Sequence, residues 1–191
     1  MVLEWIALAL IVIVIVIAIA LIGIFNSLVT LQKRVDNAWA QIDVQLKRRA
    51  DLIPNLIETV KGYAKFEKRV LTEVTNARTA LMSAKSPKES AKAENMLSGA
   101  LKTIFAVAEA YPVLKANENF KALQEEFATT ENKISYARQF YNDSAMQFNT
   151  AIAVFPNNIV SGMFGLGKPR EYFEISAADR AVVKADFSDL A

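Results

Sequence analysis

The sequence contains no cysteine and no histidine. Without cysteine there is no disulfide framework, no thiolate nucleophile and no lipid-modified cysteine anchor. Without histidine, zinc sites built on Cys or His, Ser-His-Asp triads and Glu-x-x-His di-iron bundles are all excluded. Glycine and proline are scarce, at six and five of 191 residues, and no Walker-type or Gly-rich phosphate loop occurs. Charge of neither sign dominates, since 22 basic residues face 20 acidic ones. A dedicated nucleic-acid binder carries a basic stripe, so no nucleic acid is expected as partner. These absences point away from an enzyme and from any cofactor or metal.

What the sequence does have is a long apolar run. Residues 5–25 read WIALALIVIVIVIAIALIGIF, without one charge. As a helix this run spans about 31 Å, close to the hydrocarbon thickness of a bilayer. Ile/Val alternation favours a strand in water, but an isolated strand in lipid leaves its backbone unpaired, so helix is expected. A cleaved secretory leader is the rival reading, because Ala18-Ile19-Ala20 resembles an A-x-A site. The run is too long for that, and no Lys or Arg precedes Lys33. Lys33 and Arg34 follow the span while Glu4 precedes it. The positive-inside rule then places the N-terminus outside and the C-terminal domain in the cytoplasm, as a single-pass protein of the cytoplasmic (inner) membrane. The organisation expected is a transmembrane anchor over 1–25, a helical bundle over 26–158 and a Gly/aromatic tail over 159–191.

The body reads as all-α. Apolar residues from Leu28 through Val35, Trp39, Ile42, Leu46, Ile53, Val60, Tyr63, Phe66 and Val74 to Leu81 recur about every 3.5 residues, the spacing of coiled-coil packing. Ser86-Pro87-Lys88-Glu89 predicts an N-cap, a first-turn proline and a capping box. The second helix, roughly 87 to 110, is expected to bury Leu97, Leu101, Ile104, Ala108 and Tyr111, and to end at Pro112. Asn117 is a good N-cap for a third helix, whose seam runs Phe120, Leu123, Phe127, Thr130, Ile134, Ala137, Tyr141, Ala145, Phe148, Ile152 and Phe155. Pro156 stops it. Residues 156–191 read as a loop, whose aromatics either cap the bundle or form an exposed apolar contact for a membrane surface or a partner.

Helix lengths raise a question that motifs do not. One helix over 27–82, kinked at Pro54, would extend about 84 Å, and the second helix covers only about 36 Å of it. An uncovered apolar stripe is costly, at about 1.5–3 kcal/mol for each large side chain. Either the chain reverses at Pro54 into a four-helix bundle, or another chain covers the stripe. The favoured expectation is three long helices, the first kinked at Pro54, packed antiparallel. In that arrangement Trp39, Ile42 and Leu46 are buried mainly by a neighbouring chain.

The densest polar run, residues 43–51, includes Lys47-Arg48-Arg49. It lies about 33 Å beyond the apolar run if the helix is straight, several Debye lengths from a lipid surface. Pairing with carboxylates such as Asp43, Asp51 and Glu58 is therefore expected. Asn55 and Lys61 follow on the same helix, and Glu131, Asn132, Arg138, Asn142 and Asn149 lie between seam positions on the third. Glu125 and Glu126 point about 100° apart, wrong for a shared proton.

At these residues the sequence resembles a known family. VDNAWAQIDVQLKRRADLIPNLIETVKGYA, residues 35–64, is similar to the hallmark of the LemA family of bacterial membrane proteins. Leu114-Lys-Ala-Asn117, Asn119-Phe120, Leu123-Gln124, Thr130-Glu-Asn132, Ala137-Arg138, Tyr141-Asn142, Asn149 and Phe155-Pro156 carry the resemblance onward. It covers about residues 26–158 and the Tyr172-Phe173 pair. Ala40, Ala110 and Val113 depart from the usual wording. The resemblance implies one N-terminal anchor, a helical-bundle domain and no established enzymatic activity. It also implies an association with membrane protein quality control and, in one branch, with magnetosome membranes. It supplies no catalytic, cofactor-binding or metal residues.

The functional expectation is a non-enzymatic scaffold or adaptor, held in the bilayer and assembling as a homo-oligomer through its helical domain. The alternative is a regulator or accessory subunit of a membrane protease or transporter. The interaction candidates are Trp39, Ile42, Leu46, Arg48, Arg49, Asn55, Lys61, Asn132, Arg138 and Asn142.

Overall fold

The structure, a computed structural model, describes residues 1–61 and 68–173. Helices make up the described chain, with no strand among the described residues. In order they are α1 (Val2–Lys61), α2 (Lys68–Ser83), α3 (Pro87–Glu109), α4 (Pro112–Ala116), α5 (Glu118–Ala153) and α6 (Asn157–Met163). The expected caps form. Ser86 Oγ accepts from the Glu89 N–H at 3.2 Å, and Asn117 Oδ1 accepts from the Phe120 N–H at 3.0 Å. The Glu89 carboxylate reaches back to the Lys85 N–H at 2.8 Å, one residue before the N–H that a capping box predicts.

The described residues divide into two compact units, 1–43 with 135–172, and 44–61 and 68–134 with Phe173. In the first unit, α1 and the C-terminal half of α5 pack antiparallel. Arg34 Nη1 donates to Gln147 Oε1 at 3.3 Å, and the Trp39 and Tyr141 rings meet edge-on with centroids 5.6 Å apart. As the α1 number rises the α5 number falls in step, which defines the register. Leu28, Val35, Ala38 and Ile42 bury themselves in this unit, as do Tyr141, Ala145, Phe148, Ile152 and Val160. Residues 2–23, the apolar run up to its last two positions, have no such cover. The run is long and apolar enough to cross a membrane, and none of its most apolar window is buried.

The second unit packs four longer helical segments, with the short α4 between α3 and α5. Leu46, Ala50, Ile53, Leu56 and Val60 of α1 are buried, as are Val70, Val74, Ala77 and Leu81 of α2, Leu97, Leu101 and Ile104 of α3, and Phe120, Phe127 and Ile134 of α5. Phe105 sits edge-on to both Phe120 and Phe127, at 6.0 and 5.9 Å, a favoured aromatic geometry.

The first helix differs from both expectations. It neither reverses at Pro54 nor continues to 82. It passes through Pro54 and ends at Lys61. α2 then lies beside α1 instead of extending it, because Arg78 Nε donates to the Ala50 carbonyl at 2.9 Å. A single straight helix would hold those residues about 42 Å apart. This bond also explains how the helix tolerates its proline. Residue 54 would normally donate to the Ala50 carbonyl, and proline has no N–H to give. The Arg78 side chain supplies the missing donor. Seam positions Tyr63 and Phe66 lie outside the described residues.

Three further expectations are corrected. The stripe at Ile42 and Leu46 needs no second chain, since the two residues are 0% and 3% exposed within this one. α5, at 36 residues, reaches about 54 Å and so extends along the stripe well beyond the reach of the second helix. Phe155 is 79% exposed and outside the seam, because α5 ends at Ala153. Residues 157–163 form α6 where a loop was expected. Gly165 then turns the chain with φ of 71°, a backbone angle that L side chains rarely adopt.

Candidate functional site

Two polar clusters stand out, one in each unit. In the second unit Arg49 projects from α1 into the bundle. Its side chain is 6% exposed, and Nη1 donates both to Glu94 Oε1 of α3 and to Glu131 Oε2 of α5. Glu94 is the more deeply placed carboxylate, at 1% side-chain exposure, and it also accepts from Ser98 Oγ at 3.2 Å. A buried cation is tolerable only when paired, and here two carboxylates share one guanidinium. Beside these groups on the same helices are Gln45 and Thr130. Among the described residues, no hydrogen-bond partner reaches Gln45 Oε1, Thr130 Oγ1 or Arg49 Nε. Arg48, next in sequence, makes a different pair: Nη2 meets Glu126 Oε2 at 2.6 Å, with both side chains over 40% exposed. Lys47 pairs with Asp51 along α1 at 3.3 Å.

The first unit holds its cluster around an extended strap, residues 166–172. Asn149 Oδ1 accepts from the Arg170 N–H at 2.8 Å, and Asn149 Nδ2 donates to the Arg170 carbonyl at 2.9 Å. One side-chain amide thus reads both halves of one backbone residue. Tyr141 donates its hydroxyl to the Glu171 carbonyl at 2.7 Å. The Arg170 guanidinium bridges to Asp36 at 3.0 Å and lies 6.0 Å from the Phe148 ring centre. Burial holds the Tyr141 phenol above its usual pKa near 10.0. Arg170 pulls the other way, while Glu171 and Asp36 add to the rise. Neutral groups clamp the backbone of the strap in a partly desolvated place, and the Arg170–Asp36 pair holds one of its side chains.

The ten interaction candidates fall on both sides of the division. Trp39, Ile42, Arg138 and Asn142 belong to the first unit, and Leu46, Arg48, Arg49, Asn55, Lys61 and Asn132 to the second. Ile42 and Leu46 are interior. Trp39, Arg138 and Asn142 are half-buried, each engaged in polar or ring contacts. Asn55, Lys61 and Asn132 are exposed; the Asn55 carbonyl accepts from Thr59 Oγ1 at 2.8 Å, and Lys61 meets Glu58 at 2.9 Å. Of the carboxylates expected to answer the basic triplet, Asp51 does so, but Glu58 answers Lys61. The partners of Arg48 and Arg49 come from Glu126, Glu94 and Glu131 instead.

Sequence reasoning missed Glu94 and Arg170 altogether. Glu94 had a signal: it stands three residues before Leu97 and seven before Leu101, on the apolar face of α3. Arg170 had none, because a strap has no periodicity. Among the described residues, no group of three or more Asp, Glu, His or Cys could hold a metal ion.

Comparison with known proteins places these features in a family. A family model described as LemA family matches residues 38–187. The chain is 30% identical over 173 residues to Protein LemA of Metamycoplasma hominis, covering 88% of this chain and 76% of that one. It is 23% identical over 185 residues to Magnetosome protein MamQ 2 of Paramagnetospirillum magneticum, covering 83% of this chain and 68% of the relative. Magnetosome protein MamQ of Magnetospirillum gryphiswaldense is similar at 22% over the same shares.

Proposed function

Because this chain belongs to the LemA family, we propose that it is a membrane-anchored, non-enzymatic scaffold or adaptor whose helical domain assembles with further copies at the cytoplasmic (inner) membrane. Its association with a membrane rests on the bare apolar helix and on the family. The observation that carries the scaffold reading is the continuity of α1. One unbroken helix leaves the apolar run and enters a packed domain, with no linker after Phe25. A hinge would let the domain roam, whereas a continuous helix transmits the span's position and tilt to it. That suits a protein whose work is to hold partners at a fixed place beside the bilayer.

The filled stripe at Ile42 and Leu46 removes the interface first expected, so copies must meet through outer faces. The full chain purified in detergent, without added protein, should form a homogeneous particle of several copies by light scattering. A monomer at all concentrations would overturn self-assembly. A monomer that holds one membrane protease or transporter in fixed stoichiometry would establish the accessory-subunit reading instead. The positive-inside orientation is tested separately, with a cysteine introduced at Tyr136 in this cysteine-free chain. It should resist an impermeant thiol reagent in intact cells.

A further inference from the structure

Two long uncharged stretches come together in the first unit. From Trp5 to Gln32 there is no charge, and the 24 residues between Asp143 and Lys168 also have none. The α1–α5 register, 34 beside 147 and 39 beside 141, brings the C-terminal end of α5 level with Phe25, where the apolar run ends. The Phe25 and Phe164 rings confirm that level, with centroids 4.9 Å apart. At this corner Phe155, Ile159, Met163 and Phe164 are 79, 51, 70 and 56% exposed. α6 is fastened so that these residues face outward. Val160 and Ser161 are buried, and Ser161 Oγ donates to the Ile152 carbonyl at 3.3 Å. Charge resumes at a matching height on both stretches. Lys33 and Lys168 are exposed, and the Arg170–Asp36 bridge at 3.0 Å sets a charge of the strap beside one of the charges that follow the apolar run in α1.

Four large apolar side chains in a charge-free zone, bordered by basic residues and touching the end of a bilayer-length apolar helix, have the chemistry of an interfacial wedge. We propose that the α5–α6 corner, residues 154–164, is embedded in the headgroup–acyl boundary of the same leaflet from which α1 emerges, with Lys33 and Lys168 at the level of the lipid phosphates. The domain then rests on the membrane at two points, not on a single stalk. This inference rests on the membrane anchorage proposed above, and deepens it by naming a second lipid contact.

The test uses the full cysteine-free chain in vesicles of phosphatidylethanolamine and phosphatidylglycerol. Single cysteines replace Val14, Tyr136, Ile159 and Met163, each carrying a nitroxide. Accessibility to oxygen, which concentrates in lipid, is compared with accessibility to a water-soluble nickel chelate. The oxygen-to-nickel ratio at 159 and 163 should be several-fold above that at 136 and approach that at 14. Ratios at 159 and 163 equal to that at 136, with 14 in lipid, would overturn the wedge and leave the anchor standing. Spin–spin broadening between copies at 159, with both reagents excluded, would assign the patch to a second copy and also overturn it. An aqueous signal at 14 would remove the anchorage, and the wedge with it.

Discussion

In the first unit α5 offers Asn149 and Tyr141 to the backbone of an extended strap, at 2.8, 2.9 and 2.7 Å. In the second, α1, α3 and α5 meet through Arg49 and its two carboxylates. The difference follows from what each cluster must satisfy. A strap has free N–H and C=O groups, so a side-chain amide, with one donor face and one acceptor, matches it at little desolvation cost. Helices side by side have almost no free backbone between them, the Ala50 carbonyl left open by Pro54 being an exception. A polar group there needs a side-chain partner, and a buried charge needs an opposite one. Neutral clamps therefore hold the backbone of the strap, with the Arg170–Asp36 pair beside them, while the Arg49 network joins side chains of packed helices.

The largest test of this contrast is Arg49→Met. It strands Glu94 in the bundle without its cation, and the full chain in detergent should lose about 3–5 kcal/mol of stability, read as a melting temperature lower by roughly 10 °C or more. Adding Glu94→Leu should recover most of the loss. A single variant no weaker than Asn149→Ala would break the contrast. Asn149→Ala should cost about 1–3 kcal/mol for its two hydrogen bonds, with faster amide exchange at Arg170 and little change in the second unit. Unchanged exchange at Arg170 would show that the amide does not hold the strap.

Arg78→Met tests whether a charged side chain can also serve backbone. It should cost about 1–2 kcal/mol by orphaning the Ala50 carbonyl. Pro54→Ala should rescue it, because residue 54 then donates to that carbonyl itself; a double variant as unstable as the single would refute this account of Pro54. Tyr141→Phe should cost about 1 kcal/mol near neutrality. It also carries a pH signature. The folded state raises the phenol's pKa, so the unfolded chain ionises first as pH climbs past about 10. Stability from this group is present below that value and lost above it. The alkaline decline should be shallower in Tyr141→Phe, and an identical decline would refute the assignment. The smallest effect belongs to Arg48→Ala, whose exposed pair with Glu126 should be worth under about 1 kcal/mol and vanish in high salt.

Much of the fold was legible before any coordinates. The seam residues from Leu28 to Leu81 that the structure describes are largely buried, because helical burial recurs with a period that sequence displays directly. The caps at Ser86 and Asn117 were legible for the same local reason. The tolerance of Pro54 was not legible, because it depends on Arg78, 24 residues away, which no local pattern announces.

By itself, then, the sequence determined the apolar span, the helical class, the seam faces and the family, since each depends on composition or on short-range period. Tertiary structure alone decided which chain fills the stripe at Ile42 and Leu46, which carboxylates neutralise Arg49, how the Ala50 carbonyl is satisfied, and where the strap of residues 166–172 is clamped. Those are pairings between residues tens of positions apart. Period and propensity are blind to them, because a helix face shows that it must be covered without showing by what.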